Sequence, residues 1–204
     1  MILLLGSNNK YKASEIKQIF EETGLRPDST SDFSVKILSD VLNEFFDVVE
    51  DGDTLEENAF KKANEYFQIT NIPCFADDTG LEIDALNGSP GVKSARFAGE
   101  DCIDKNNRKK VLELLKNIPD GKRTAQFRTV ICFVDSKQTK YIEGVCKGKI
   151  IYEERGTNGF GYDSIFVPVG FGKTFAEMDA DEKNLISHRG NAIRKFAEFI
   201  DTLK

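Results

Sequence analysis

The apolar run Pro73-Cys74-Phe75-Ala76 passes directly into Asp77-Asp78-Thr79-Gly80, and no other junction constrains the fold as strongly. A short apolar run of this kind reads as a buried strand, and Leu81-Glu82-Ile83-Asp84 alternates beyond it. Two adjacent carboxylates after a buried strand repel one another unless a cation or a proton lies between them. The junction is therefore expected at a strand end that delivers its side chains to a cleft.

The flanking sequence supplies the other layers. Residues 2 to 5 read as a second buried strand, followed by the turn Gly6-Ser7-Asn8-Asn9 and a helical stripe of Ala13, Ile16, Ile19 and Phe20, with Gly24 closing the helix. Val35 to Leu38 reads as a strand, and an acidic stretch runs from Glu44 to Asp53. Thr54 and Glu57 have the spacing of a capping box, so a helix is expected with Phe60, Ala63 and Phe67 facing the core and Asn58 and Lys62 on the opposite face. A helix from about residue 101 to 116, a pair of strands at 129 to 134 and 140 to 145, a strand at 165 to 167 and a last helix from near Ser187 complete the chain. Helices and strands interleave while the middle strands look hairpin-connected, which predicts an α/β fold with a mixed sheet.

At 204 residues one domain spanning the whole chain is expected. The net charge of -6 argues against a nucleic-acid polymer as partner, since that needs an excess of Lys and Arg. Cys74, Cys102, Cys132 and Cys146 are too widely spaced for a zinc knuckle or redox pair and read as core residues. No stretch approaches a membrane span and the N-terminal apolar run is too short for a signal peptide, so a cytoplasmic location with no membrane partner is expected. His188 is the only histidine, which leaves any metal chemistry to carboxylates.

Four constellations carry chemistry. Ser7, Asn8, Asn9, Lys10, Tyr11 and Lys12 open a helix, where cations meet the positive end of the dipole and a phosphate would reverse the conflict. No Walker-type glycine loop is present. The acidic set Glu50, Asp51, Asp53, Asp77 and Asp78 suits magnesium, which takes oxygen ligands from one or two carboxylates together with substrate phosphates. The loop Gly156 to Asp163 is punctuated by glycines and offers Phe160 and Tyr162 to a planar ligand, with Asp163 as acceptor for a ring edge. Lys183 and Ser187-His188-Arg189 again crowd cations at a helix start, and Arg189 is a rigid donor fork suited to carbonyl or phosphate oxygens, such as the 6-oxygen of a purine or a phosphate oxygen.

Together, Ser-Asn-Asn-Lys-Tyr-Lys at 7 to 12, Glu-Asn-Ala-Phe-Lys-Lys-Ala at 57 to 63, Phe-Ala-Asp-Asp-Thr-Gly-Leu at 75 to 81, Phe-Gly-Tyr-Asp at 160 to 163 and Ser-His-Arg at 187 to 189 resemble the inosine triphosphate pyrophosphatase, or Ham1-like, family. The resemblance implies an elongated mixed sheet flanked by helices in two lobes with a central active-site cleft. It implies a homodimer that depends on Mg2+ and cleaves non-standard purine nucleoside triphosphates to the monophosphate and pyrophosphate. Carried over by position, it implies that Ser7, Asn8, Asn9, Lys10, Tyr11, Lys12 and Lys62 hold the triphosphate. Glu50 and Asp78 would serve the metal, with Asp51 or Asp53 as alternatives to Glu50, and Asp78 would be the proton acceptor. Thr79, Phe160, Gly161, Tyr162, Asp163, Lys183, His188 and Arg189 would contact the rest of the nucleotide.

Two other functions compete. A haloacid-dehalogenase-like phosphatase also places aspartates after an apolar strand, but its loop needs Asp-x-Asp and here the aspartates are adjacent. A sensor that binds nucleotide without cleaving it would have no need of a carboxylate pair linked to a metal.

Overall fold

The computed structural model describes residues 1–7, 9–22, 34–42 and 47–203. Asn8, Gly24 and the start of the acidic stretch at Glu44 lie outside the described residues. The strands are β1 (Ile2–Leu5), β2 (Ser34–Ile37), β3 (Cys74–Ile83), β4 (Pro90–Gly91), β5 (Thr124–Val134), β6 (Thr139–Ile150) and β7 (Phe166–Pro168). The helices are α1 (Lys10–Glu22), α2 (Leu55–Thr70), α3 (Asp104–Leu114), α4 (Ala180–Ile186) and α5 (His188–Asp201). Strand neighbours follow the order β2-β1-β3-β5-β6-β7, with β4 added to β3. Because β1 is parallel to β2 and β3 while β4 and β7 run antiparallel to their neighbours, the sheet is mixed, as the sequence predicts.

Local chemistry accounts for most boundaries. Thr54 and Glu57 close the expected capping box, with Thr54 Oγ1 accepting from the Glu57 N–H at 3.1 Å and the Glu57 carboxylate accepting from the Thr54 N–H at 3.2 Å. The turn between β5 and β6 is held by Asp135, whose carboxylate accepts from the N–H groups of Lys137 and Gln138 at 2.7 and 2.8 Å. Asp179 and Glu182 form another capping box, which starts α4, a short helix that the sequence reading passed over.

Three expectations need correction. β3 continues through Asp77, Asp78 and Thr79 to Ile83, so the carboxylates stand within a strand and not at its end. On α2 the buried stripe is Leu55, Ala59, Ala63 and Tyr66 together with Asn58 and Lys62, while Phe60 is exposed. Asn58 and Lys62 turn inward because charged partners await them there. Cys102 is exposed, unlike the other three cysteines.

The chain divides into two compact units. The first comprises Met1–Asp78, Thr129–Gly144 and Arg189–Lys204. Its core joins Leu3 and Leu5 of β1, Ile16, Ile19 and Phe20 of α1, Phe75 of β3 and Ile193, Phe196 and Ile200 of α5. The second comprises Thr79–Arg128 and Val145–His188, with a core of Leu81, Ile83, Val111, Leu115, Phe127, Ile150, Tyr162, Phe166 and Phe175.

A charged side chain lies inside the second unit. Arg123 is 1% exposed and donates to the carbonyls of Leu115, Ile150 and Ile151 at 2.6, 2.7 and 2.8 Å, with the Tyr152 ring 4.2 Å from its guanidinium carbon. It thereby satisfies a carbonyl at the C-terminal end of α3 and two at the end of β6, those of its last residue and of the residue that follows. Arg123→Met keeps the length of the side chain and removes all three donors. At about 1 kcal/mol or more for each buried acceptor left unpaired, it is expected to lower stability by about 3 kcal/mol, measured as a fall in the urea midpoint. A midpoint within error of the parent would show that water replaces these donors without loss.

Candidate active site

Side chains alternate along a strand, and on β3 this sorts the junction onto two faces. The Phe75 ring packs on Phe20 of α1 and Phe196 of α5, with centroids 6.0 and 4.7 Å away, and Asp77 shares that face two residues on. Cys74 packs with Tyr66 of α2, and Asp78, four residues on, points to the α2 side. Neighbours in sequence are thus separated by the thickness of a strand.

Asp77 is 1% exposed and collects the two cations whose positions at helix starts looked unfavourable in the sequence. Lys12 in the first turn of α1 lies 3.1 Å from its Oδ2, and Arg189 in the first turn of α5 lies 3.5 Å from the same oxygen. The other arm of Arg189 pairs with Glu15. Burial pushes the Asp77 carboxyl up, but Lys12, Arg189 and Lys62 together outweigh burial and hold it well below the usual carboxylate range.

Asp78 has the opposite balance. Burial raises it, Lys62 and Lys12 pull it down, Glu50 pushes it up again, and the outcome lies above the ordinary aspartate value. Its Oδ2 accepts from Asn58 Nδ2 at 3.2 Å, and its Oδ1 lies 3.7 Å from Lys62 Nζ, which is 3.0 Å from Glu50. Burial lowers Lys62, yet Asp78, Glu50 and Asp77 more than reverse this, so the ammonium keeps its proton. The adjacent aspartates therefore make their close ion pairs with different cations, Asp77 with Lys12 and Arg189 and Asp78 with Lys62, although Lys12 and Lys62 act on both at longer range.

The geometry also separates the candidates for a second metal ligand. Glu50 is tied through Lys62 to Asp78, whereas Asp51 pairs with Lys61 at 2.6 Å and Asp53 donates its N–H to Glu57 ahead of α2. Lys62 Nζ is a cation already within reach of the Glu50 and Asp78 carboxylates, so this donor set fits a hard cation such as magnesium. Among the described residues no three carboxylate, histidine or cysteine side chains gather as a ready metal cage.

Ser7 and Asn9 stand at the entrance to α1, where Asn9 Oδ1 accepts from the Lys12 N–H at 3.1 Å and Ser7 Oγ accepts from the Asn9 N–H at 3.3 Å. The Tyr11 side chain is exposed. Asn8 and the side chain of Lys10 lie outside what the structure describes.

In the second unit a different group forms. Asp163 is buried and its Oδ2 accepts from both the Phe160 N–H and Lys183 Nζ, each at 2.9 Å. Lys183 Nζ also lies 5.2 Å from the centroid of the Phe160 ring. A hollow lined by Phe160, Gly161, Asp163, Asn158 and Arg108 opens beside them. Tyr162 was expected to offer its ring to a ligand, but it is a core residue whose hydroxyl donates to the Ser94 carbonyl at 2.7 Å. His188 is buried, stacked on Phe127 with centroids 4.6 Å apart. Thr79 follows Asp78 on β3 and is half-buried. The structure thus brings Phe160, Asp163 and Lys183 together, while Arg189 stands with Glu15 and Asp77.

Sequence reasoning missed the roles of Glu15 and Asn58. The spacing of Asn58 and Lys62 was the available signal, read with the wrong face turned inward.

Comparison with known proteins shows the family. The model of the Ham1 family matches residues 3–199. A dITP/XTP pyrophosphatase of Clostridium perfringens is 46% identical, with 96% of this chain and 95% of that protein covered. One of Flavobacterium johnsoniae is 43% identical over the full length of both. Among solved structures, the Staphylococcus aureus Ham1 protein superposes with a TM-score of 0.86 at 38% identity over all of both chains. A HAM1 protein from Coxiella burnetii gives 0.85 at 35% identity over 99% of each.

The charge on Asp77 has a consequence for stability. Its folded-state value lies below the unfolded one of about 3.9, so it contributes stability above that pH and loses the contribution as pH falls toward the folded value. Asp77→Asn leaves Lys12 and Arg189 beside a neutral group. The expected loss is about 3 kcal/mol at pH 7, smaller at pH 3, read from urea unfolding at both. Equal losses at the two pH values would mean that the amide fails for reasons other than charge.

Proposed function

The chain belongs to the Ham1 family, and we propose that it is a nucleoside triphosphate pyrophosphatase that cleaves inosine, deoxyinosine and xanthosine triphosphates to the monophosphate and pyrophosphate. The observation that carries this reading is that two adjacent aspartates on β3 meet different partners and are shifted in opposite directions. Asp77 is held charged by Lys12 and Arg189, while Asp78, which burial and Glu50 push up against the pull of Lys62 and Lys12, is raised above the ordinary aspartate value. Environments that drive paired carboxylates apart are a mark of acid–base assignment. A phosphatase of the haloacid-dehalogenase type is disfavoured, because adjacent strand residues face opposite ways and cannot act as nucleophile and general acid on one phosphate.

In this reading Asp78 takes the proton from a water that attacks the α-phosphorus, and the bond to the pyrophosphate oxygen breaks on the opposite side. A raised value makes Asp78 a better base than an ordinary aspartate. Lys12, Lys62 and the polar residues at the start of α1 bind the phosphate oxygens. Glu50 and Asp78 hold magnesium, which when bound would add positive charge at those oxygens. We further propose a homodimer working in the cytoplasm. Among the described residues no helix is long and apolar enough to cross a membrane.

The test of the chemistry is a turnover in oxygen-18 water. The label is expected in the monophosphate, and Asp78→Asn is expected to stay folded with turnover reduced by at least about 10²-fold, as for loss of a general base. Label in the pyrophosphate would place attack at the β-phosphorus and sink the mechanism, and orthophosphate as sole inorganic product would favour a phosphatase.

The base belongs to the group around Phe160. Lys183 carries donors and no acceptor, so the oxygen of a 6-oxo purine matches it while the amino group of adenine opposes it. A mismatch of this kind costs about 1–3 kcal/mol, so the specificity constant for inosine triphosphate is expected to exceed that for adenosine triphosphate by roughly 10- to 100-fold. Lys183→Met should narrow the ratio, chiefly by losing the inosine nucleotide. Equal constants in the parent protein would remove the base preference.

A further inference from the structure

The geometry points to Asp104 and Arg108 of α3 as positioning residues that hold the loop carrying Phe160 and Asp163 in its nucleotide-binding shape. The inference rests on the proposed function for what the loop binds, but the clamp itself is a matter of structure. Gly161 has φ +61°, a conformation that favours glycine, and no neighbour lies within 4 Å of the place a Cβ would occupy. The glycine is there for its backbone shape, and its peptide groups are held by α3. Asp104 Oδ2 accepts from the Gly161 N–H at 2.7 Å, and Arg108 donates from Nη1 to the Gly161 carbonyl at 2.8 Å.

The two residues are one helical turn apart and share a face of α3. Arg108 is fixed in turn by Glu154, 2.8 Å from its Nε, and the same Glu154 oxygen accepts from the Ser164 hydroxyl at 3.0 Å, at the far end of the loop. Asn107 on the adjoining face is buried. It accepts from the Ala98 N–H and donates to the Ala95 carbonyl, both at 2.7 Å, next to Ser94 where the Tyr162 hydroxyl lands. One short stretch of α3 therefore frames the loop at Gly161 and at Tyr162.

The consequence reaches the ligand group through short links. Phe160 precedes Gly161, and its N–H bonds to the Asp163 oxygen that Lys183 also holds. At Gly159 a Cβ would stand 2.1 Å from that same oxygen, so the backbone there has no room to follow a displaced Asp163 with any larger residue. Releasing the Gly161 peptide frees the Phe160 ring and the Asp163–Lys183 pair together, with no change at Asp78 or Lys62 in the other unit.

The experiment compares Asp104→Ala, Arg108→Ala and the conservative Asp104→Asn, whose amide oxygen still accepts from the Gly161 N–H. Amide hydrogen exchange of residues 156 to 164 is measured without ligand, alongside steady-state kinetics with inosine triphosphate and inhibition by tripolyphosphate. Both alanine variants are expected to exchange roughly tenfold faster in this segment and to raise KM roughly tenfold, the scale of a lost charge-assisted hydrogen bond, with kcat nearly unchanged. Inhibition by tripolyphosphate, which has no base, should not move, and Asp104→Asn should recover most of the KM. Unchanged exchange in both alanine variants would overturn the clamp. Faster exchange with parental KM, or a fall in kcat alone, would overturn its positioning role. Failure of the parent protein to turn over inosine triphosphate would instead remove the proposed function and leave exchange to decide on the clamp.

Discussion

One buried carboxylate, Asp77, is the charge on which the first unit depends. It sits in the middle of β3 with almost no exposure, and a lone anion in that place would cost more than a marginally stable domain can spare. Lys12 and Arg189 supply the compensation, and both come from the first turns of helices, where the dipole disfavours them. Each component is unfavourable alone, and the combination requires α1, β3 and α5 to meet as they do. The aromatic contacts of Phe75 with Phe20 and Phe196 lie on the same face of β3, so packing and charge specify one arrangement.

The period of a strand then does chemical work at the next residue. Had the junction been a turn, Asp77 and Asp78 would have shared an environment and competed for one counterion. Because β3 continues, Asp78 faces α2 and meets Asn58 and Lys62, one turn apart on that helix. Burial without full compensation leaves its carboxyl raised, whereas overcompensation leaves Asp77 lowered. The difference in reactivity follows from which side of one strand each side chain leaves.

These facts explain which parts were legible in the sequence. The capping box of α2, the turn before β6 and the mixed sheet follow from local rules, and the motifs pointed to Lys12, Lys62, Asp78, Asp163 and Lys183. The continuity of β3 was not legible, since Asp-Asp-Thr-Gly has the composition of a turn and only tertiary partners keep it extended. For the same reason Phe60 was expected inside and Asn58 and Lys62 outside: hydrophobic periodicity assumes that the core is apolar, and here one side of α2 faces carboxylates. Arg123, Asp104 and Arg108 were invisible because their partners include backbone groups 8 to 57 positions away in sequence, of which no residue type gives notice.

The position of Lys62 bears on the proposed chemistry. Its ammonium stands between Glu50 and Asp78 and keeps its proton despite burial, because the carboxylates around it favour the charged form. Lys62 offsets the repulsion between those two acids. A divalent cation drawn to the same carboxylates would compete with the ammonium for their oxygens, and like charges at such distances repel strongly in a partly buried place. On the proposed function a triphosphate would relieve that conflict by giving Lys62 new oxygens to bind while adding ligands for the metal. Metal and nucleotide would then favour each other's binding, and the lysine that offsets the two carboxylates would become, without leaving its helix, a contact for the substrate.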